Sequence, residues 1–177
     1  EVVGEPITLP SMGDDLEGCL DQIIGGLTEL QNSTGRQAAG ISMGFPGPAD
    51  YRAGIIGECN NLPGFRNIDG VAVGPMLEGH FDLPVFIRND GDLFAYGESI
   101  SGILPEINKA LEEGGSTLRY RNLLGLTLGT GFGGGIVVNG GMLEGDNSSA
   151  AEIWALRSKL HRDSPVEEDV SIRALRR

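Results

Sequence analysis

The stretch Leu128-Gly129-Thr130-Gly131-Phe132-Gly133-Gly134-Gly135 constrains this chain more than any other. Five glycines fall in the seven residues 129–135, between the apolar runs Leu123–Leu128 and Ile136–Val138. Both runs predict strands, and Asn139-Gly140 just beyond them is a strong signal for a tight hairpin turn. The expectation is strand, glycine loop (129–135), strand. Gly129, Gly131 and Gly134 satisfy the G-x-G-x-x-G spacing. A dinucleotide fold, however, needs a helix after such a loop to receive the pyrophosphate. A strand follows here, which excludes that fold, and the missing Gly-Lys-Ser/Thr excludes a P-loop. A glycine hairpin can still hold phosphate. Its successive backbone N–H groups curl around an anion, absent side chains let oxygens approach, and the Thr130 hydroxyl adds a donor. The bland alternative is a merely tight hairpin, yet five glycines exceed what one turn needs.

Glycine is in excess along the whole chain, at 29 of 177 residues, against an average of about 7%. The length fits one ordinary domain or two small ones. With 40% hydrophobic and 21% charged residues, the chain is neither a disordered tail nor a coiled coil. Its 13 basic and 25 acidic side chains leave a net charge of −12, which argues against a surface for nucleic-acid phosphates or anionic lipid. No apolar run reaches the roughly 18 residues of a membrane helix. The basic side chains near the C-terminus (Arg157, Lys159, Arg162, Arg173, Arg176, Arg177) are interrupted by Glu167, Glu168 and Asp169. They read as a solvated helix face and the start of a further helix. Cys19 and Cys59, with no other thiol and only the isolated His80 and His161, read as reduced structural cysteines rather than a disulfide or zinc framework. The chain opens on Glu1 without Met and closes on Arg176-Arg177, so both ends read as cut.

Strands and helices alternate, which indicates an α/β architecture. Ile7–Leu9 predicts a short strand closed by Pro10. A helix follows from Asp14 or Asp15 as N-cap to about Leu30, with Asn32–Gly35 as a loop. Ala38–Gly44 predicts a buried strand entering the stiff turn Phe45-Pro46-Gly47-Pro48. Ile55-Ile56 predicts a short strand, 73–81 a helix, and 84–88 a strand. A helix is expected to about Ile100 after Asn89-Asp90-Gly91-Asp92, another over 106–113, and a last one from Ala150 to about Leu160.

Arg88-Asn89-Asp90-Gly91-Asp92 stands at the C-terminal end of a predicted buried strand, where α/β sheets place ligands. One carboxylate there can act as general base toward a hydroxyl while the adjacent amide orients the substrate. Helix capping is the alternative. For Asp92 capping is preferred, and Asp90 fits either role. An EF-hand fails because Phe94 stands where an oxygen ligand belongs. Glu152 follows the small polar run from Asn147 and enters the last predicted helix, where an N-terminal dipole partner is the default role.

Together these motifs resemble the ROK family (repressors, uncharacterised reading frames and sugar kinases), on the side of its bacterial glucokinases, over nearly the whole chain. Gly40–Pro48 resembles the family's glycine- and proline-bearing segment beside the sugar, and Asn61-Leu62-Pro63-Gly64-Phe65 its Asn-Leu-Pro-Gly-aromatic segment. Asn89–Asp92, with Gly97-Glu98, resembles its catalytic Asn-Asp motif. Residues 128–135 resemble its second phosphate motif, and Glu152 stands at its sugar-binding Glu. The resemblance implies an actin-like (ribonuclease H-like) α/β ATPase fold of two lobes, only partly covered here. Residues 1–88 would be the remainder of the smaller N-terminal lobe and 89–177 the first part of the larger one.

It further implies an ATP-dependent hexose kinase acting on the sugar 6-hydroxyl, glucose being the first guess, with Mg²⁺. Asp90 would be the base. Gly44, Asn61, Asn89 and Glu152 would hold the sugar, and Gly129, Thr130, Gly131, Gly133 and Gly134 the phosphates. The resemblance also implies a cytoplasmic location and a homodimer, with no membrane partner. It implies no nucleic-acid partner either, unless a helix-turn-helix precedes Glu1. The family's first phosphate motif, Asp-x-Gly-Gly-Thr, would lie before Glu1 and its adenosine segment after Arg177.

The sequence departs from the family at Ala151-Glu152-Ile153-Trp154-Ala155, where the family reads Gly-Glu-x-Gly-His. The zinc-ligating His and the Cys-rich loop are missing, so no zinc is expected, and Trp154 is expected to pack in the core rather than to stack on the sugar, the other role open to it. The rivals to the kinase are a sugar-responsive repressor and a catalytically silent sugar-binding protein.

Overall fold

Apolar residues spaced three and four apart from Leu16 to Leu27 give the first helix one buried stripe, which packs on the core of the first half of the chain. The computed structural model describes residues 4–57 and 67–176, and the chain divides into two compact units, Glu1–Ile87 and Arg88–Arg177.

In the first unit, α1 (Leu16–Thr34) runs past the predicted loop at 32–35 and ends at Gly35, whose φ of 59° makes a left-handed C-cap. Asp15 is its N-cap by position, without a side-chain capping bond. Ile7–Leu9 is no strand. Proline flanks it on both sides, and Leu9 lies over α1 instead, where a Cβ on Gly26 would stand 2.7 Å from its Cδ1. β1 (Ile41–Phe45) pairs with β4 (Val85–Asn89). The short β2 (Ala49–Asp50) and β3 (Ile55–Ile56) form an antiparallel hairpin, and the Gly47–Pro48 bond before it is cis. α2 (Val73–Phe81) has the predicted bounds and ends on Asp82, φ 52°. Cys19, Phe45, Ala49, Tyr51, Ile56, Ile68, Val73, Leu77 and Ile87 form this unit's core.

In the second unit, α3 (Asp90–Ile100) follows β4 without a loop. α4 (Ile103–Glu113) begins three residues earlier than predicted, because Pro105 sits in the first turn, where its missing N–H is no loss. β5 (Leu123–Leu128), β6 (Phe132–Val138) and β7 (Gly141–Met142) form an antiparallel sheet in that order. Asn139 and Gly140 take φ of 53° and 79°, the two left-handed residues of a tight hairpin turn. The predicted loop at 129–135 is largely strand: only Gly129–Gly131 connect β5 to β6, and Leu128 pairs with Phe132.

The helix expected from Ala150 to Leu160 is absent. A single 3₁₀ turn, Ile153–Ala155, stands there, and Arg157 bridges to Pro165. The Ser158 hydroxyl accepts the Leu160 and His161 N–H groups at 2.9 and 2.8 Å, drawing the backbone out of a helical path. The tail forms two helical turns, α5 (Glu167–Val170) and α6 (Ile172–Leu175), parted at Ser171, whose ψ of 161° is extended. Among the described residues no helix is long and apolar enough to cross a membrane.

Candidate functional site

The close approach of α3 to β6 builds the candidate site of the second unit. A Cβ on Gly135 would stand 2.6 Å from the Gly91 carbonyl oxygen and 2.8 Å from the Asp92 Cα. One on Gly91 would meet the Gly134 carbonyl oxygen at 2.7 Å, and one on Gly125 the Ala95 Cβ at 2.7 Å. Real Cβ atoms do not occupy such positions, so glycine at 91, 125 and 135 lets the first turns of the helix rest on bare strand backbone. Gly133 and Gly134 belong to the same strand, with Thr127 Oγ1 and Ile153 Cδ1 at 2.5 and 2.8 Å from where their Cβ atoms would lie. Gly129 differs: nothing lies within 4 Å of its Cβ position.

Capping is performed by Asn89 and not by Asp92. The Asn89 Oδ1 accepts the Gly91 and Asp92 N–H groups at 2.9 and 3.2 Å. Asp90 is then the first helical residue, exposed, with one oxygen accepting from the Gly91 N–H at 2.9 Å. Its other oxygen bonds no group among the described residues, which leaves it able to meet a substrate hydroxyl.

Asp92 turns inward to 1% exposure. Neither of its oxygens nor the buried Ser148 hydroxyl nearby has a hydrogen-bond partner. Burial pushes its carboxyl above the usual carboxylate range. The Ser148 hydroxyl, close by but making no hydrogen bond of normal geometry, pulls it partly back, while Glu144 and Glu152 raise it and Arg88 lowers it.

Ser148 lies on the segment that carries Glu152, and that segment is closely folded. Gly145, Asn147 and Ser148 all take positive φ, the Ala150 N–H donates to the Glu144 carbonyl at 3.1 Å, and Arg88 pairs with Glu144 at 2.9 Å. Glu152 heads the 3₁₀ turn without a capping bond, so it is no dipole partner of a long helix. Its carboxylate accepts from the Trp154 indole N–H. Trp154 is 44% exposed rather than packed in the core.

The turn itself is braced from the C-terminal segment. Glu167 Oε2 accepts the Phe132 N–H at 2.8 Å, and the Ile172 N–H donates to the Gly129 carbonyl at 2.9 Å. Thr130 is exposed at the tip. Asn89, Asp90, Glu152 and residues 129–134 therefore all belong to the second unit. Gly44 is an exposed residue of β1 in the first unit, and Asn61 lies outside the described residues.

The sequence did not single out Glu144, Ser148 or Glu167. Glu167 was submerged in an acidic run, and no local spacing ties it to a turn 35 residues earlier. Among the described residues no group of three or more His, Cys, Asp or Glu side chains is placed to hold a metal ion. Cys19 is a free, buried thiol.

A family model described as "ROK family" matches residues 8–157. The chain is 32% identical over 144 residues to the N-acetyl-D-glucosamine kinase of Photobacterium profundum, covering 81% of this chain and 42% of that protein. Among solved structures, a glucokinase from Parabacteroides distasonis is 52% identical with a TM-score of 0.83, over 98% of this chain and 48% of that one. A ROK family glucokinase from Streptomyces griseus, crystallised with glucose and AMPPNP, shares the fold at 22% identity and a TM-score of 0.66, over 93% of this chain and 49% of that one. The chain thus spans under half the length of each of these three proteins.

Proposed function

The chain belongs to the ROK family, and from that premise we propose that it carries the sugar- and phosphate-binding centre of an ATP-dependent hexose kinase acting on the sugar 6-hydroxyl. Its fold is the actin-like, ribonuclease H-like α/β ATPase fold. The observation that carries the proposal is the packing of the α3 N-terminus on β6, which sets Gly91, the neighbour of the exposed Asp90, against the strand that leads from the glycine turn. The fold is one that holds glucose and an ATP analogue in the Streptomyces protein.

In this reading Asp90 takes the proton of the 6-hydroxyl as that oxygen bonds to the γ-phosphorus and the bridging bond to ADP breaks. Asn89, fixed by its two capping bonds, would orient the sugar with Glu152, whose carboxylate the Trp154 indole steadies. Gly44 and Asn61 are proposed as sugar contacts on the family resemblance alone. The open space over Gly129 and the exposed Thr130 suit phosphate oxygens, with Gly131, Gly133 and Gly134 along the same hairpin. Mg²⁺ would arrive with the nucleotide, whose phosphates are its usual ligands, and neutralise their charge. The net charge of −12 is then no obstacle to an anionic substrate.

Glucose is the first candidate and N-acetylglucosamine the second, since relatives carry both names. The full-length protein assayed with ATP over a hexose panel, beside Asp90→Asn, tests this. Wild type should phosphorylate one sugar, and Asp90→Asn should lose about 10²- to 10⁴-fold in kcat. Binding of a sugar without its phosphorylation would support a sensor instead, and full activity in Asp90→Asn would remove Asp90 as the base.

A further inference from the structure

We propose that Asp92 and Ser148 form a latch that closes as a sugar seats on Glu152, with Asp92 the positioning residue. The inference rests on Glu152 being a sugar contact, as in the reading above. Asp92 is 1% and Ser148 6% exposed, and neither the carboxyl oxygens nor the hydroxyl makes a hydrogen bond among the described residues. The two belong to different elements, the first turn of α3 and the segment 144–152. Burial raises the Asp92 pKa and the nearby hydroxyl pulls it partly back, although the pair falls short of bonding geometry. Three polar atoms buried together without partners cost free energy that one bond between them would recover.

The backbone is bent to put the hydroxyl there. Asn147 and Ser148 take φ of 57° and 60° in succession, a left-handed pair that residues with a Cβ adopt only at a cost. Glycine would relieve that cost at 148, yet the residue is a serine turned inward. Strain and unsatisfied polar groups gather where a fold acts on a ligand.

The segment is mounted so that Ser148 moves with Glu152. Its start is held by Arg88, which pairs with Glu144 at 2.9 Å, and it closes on itself where the Ala150 N–H donates to the Glu144 carbonyl at 3.1 Å. Its end rests on β6, where Ile153 Cδ1 lies 2.8 Å from the position of a Cβ on Gly134. Between these points Ser148 precedes Glu152, whose exposed carboxylate, with Glu144, acts on Asp92 from the same segment. A small shift that brings the hydroxyl onto the carboxyl carries Glu152 along. A sugar that binds Glu152 more tightly in the shifted position favours it, and the Ser148 hydroxyl then donates to an Asp92 oxygen.

The test titrates glucose and N-acetylglucosamine into the full-length protein by calorimetry, with the ATP KM and Tm read beside the sugar Kd. The variants are Ser148→Gly, Asp92→Ala, Asp92→Asn and the double variant Asp92→Ala/Ser148→Gly. In Ser148→Gly the sugar Kd should rise about three- to tenfold, with the ATP KM within about twofold. Its Tm should hold or rise, because strain and an unpartnered hydroxyl leave together. A merely structural serine would not weaken sugar binding while Tm holds. Asp92→Asn keeps an oxygen that accepts the hydroxyl, so its sugar Kd should stay within about twofold of wild type. Asp92→Ala should match Ser148→Gly in sugar Kd, and the double variant should bind no more weakly than either, since all three lack the same bond. Should Asp92→Ala fail to fold, Ser148→Gly and Asp92→Asn carry the test. An unchanged sugar Kd in Ser148→Gly, or multiplied effects in the double variant, would overturn the inference, as would a sugar Kd raised in Asp92→Asn as far as in Asp92→Ala. A wild-type protein that binds one of the sugars without phosphorylating it ends the kinase reading alone, and the Kd comparison still decides the latch. One that binds neither sugar overturns the latch as well.

Discussion

The glycine run holds two regions that do opposite things. At its start, Gly129 faces open space and Gly131 faces only the end of the Glu167 side chain. At its end, Gly135 faces backbone atoms of α3 at 2.6 and 2.8 Å, and Gly134 the Gly125 carbonyl at 3.1 Å. The first region leaves space open, and the second removes space inside the chain. One residue type thus leaves open space and permits close packing six residues apart, and a count of glycines cannot separate the two. The five glycines exceed the need of a turn because three of them belong to the strand on which α3 rests.

Gly135→Ala should give the largest effect, because the added methyl meets backbone, which has no rotamer to move away. A loss of about 3 kcal/mol or more in urea unfolding is expected, at the upper end of overpacking costs, out of a total stability of roughly 5–15 kcal/mol. Gly91→Ala meets the Gly134 carbonyl oxygen at 2.7 Å but gains about 1 kcal/mol of helix propensity, so its net loss should be smaller. If Gly135→Ala unfolds at the wild-type denaturant concentration, the packing account of the strand glycines is wrong.

Asp92 is the next largest case and follows from the same packing, since the α3 turn pressed on Gly135 is what buries it. Its folded pKa is raised, chiefly by burial. The ionised form therefore lowers stability, by an amount that grows as pH rises from the ordinary carboxylate range through the raised value and is complete above it. Asp92→Asn removes the buried charge while keeping a polar group, so it should raise stability at pH 7 by more than it does at pH 4. Asp169 behaves in the opposite sense. The Ser158 hydroxyl first, then His161, lowers its pKa, so its contribution is present above the unfolded value and lost as pH falls through the folded one. An Asp92→Asn gain that is equal at both pH values would place the cost elsewhere.

What was legible in the sequence is what local chemistry decides. Asn139-Gly140 declared its turn because two successive left-handed residues admit few alternatives. The 73–81 helix and the 123–128 strand were readable from apolar spacing alone. Gly133–Gly135 read as loop because glycine is a poor strand former, and only the tertiary approach of α3 makes glycine the residue that fits. Asn89, Asp90 and Asp92 are chemically near-equivalent as written. Which one caps, which one is exposed and which one is buried depends on where β4 delivers the chain into α3. The Ala150–Leu160 segment has helical composition, and the Ser158 hydroxyl together with the Arg157–Pro165 bridge overrides it. Glu167 was invisible for a further reason: its partner is a backbone N–H, which every residue except proline offers equally.

Gly129→Ala should give the smallest change in stability and so sharpens the contrast with Gly135→Ala. Its methyl meets nothing within 4 Å, and its φ is outside the left-handed range. The substitution also restricts the unfolded chain, so stability should hold or rise by about 0.4–1 kcal/mol. Nucleotide binding should respond in the opposite direction, because the open space that admits the methyl is the space proposed for phosphate oxygens. An ATP KM several-fold higher, with Tm unchanged or raised and the hexose KM unchanged, is the expected pattern. A variant that loses stability would show that Gly129 is a packing glycine like Gly135. One that keeps both its stability and its ATP KM would move the phosphate contact away from Gly129, toward the N–H groups of Thr130 and Gly131.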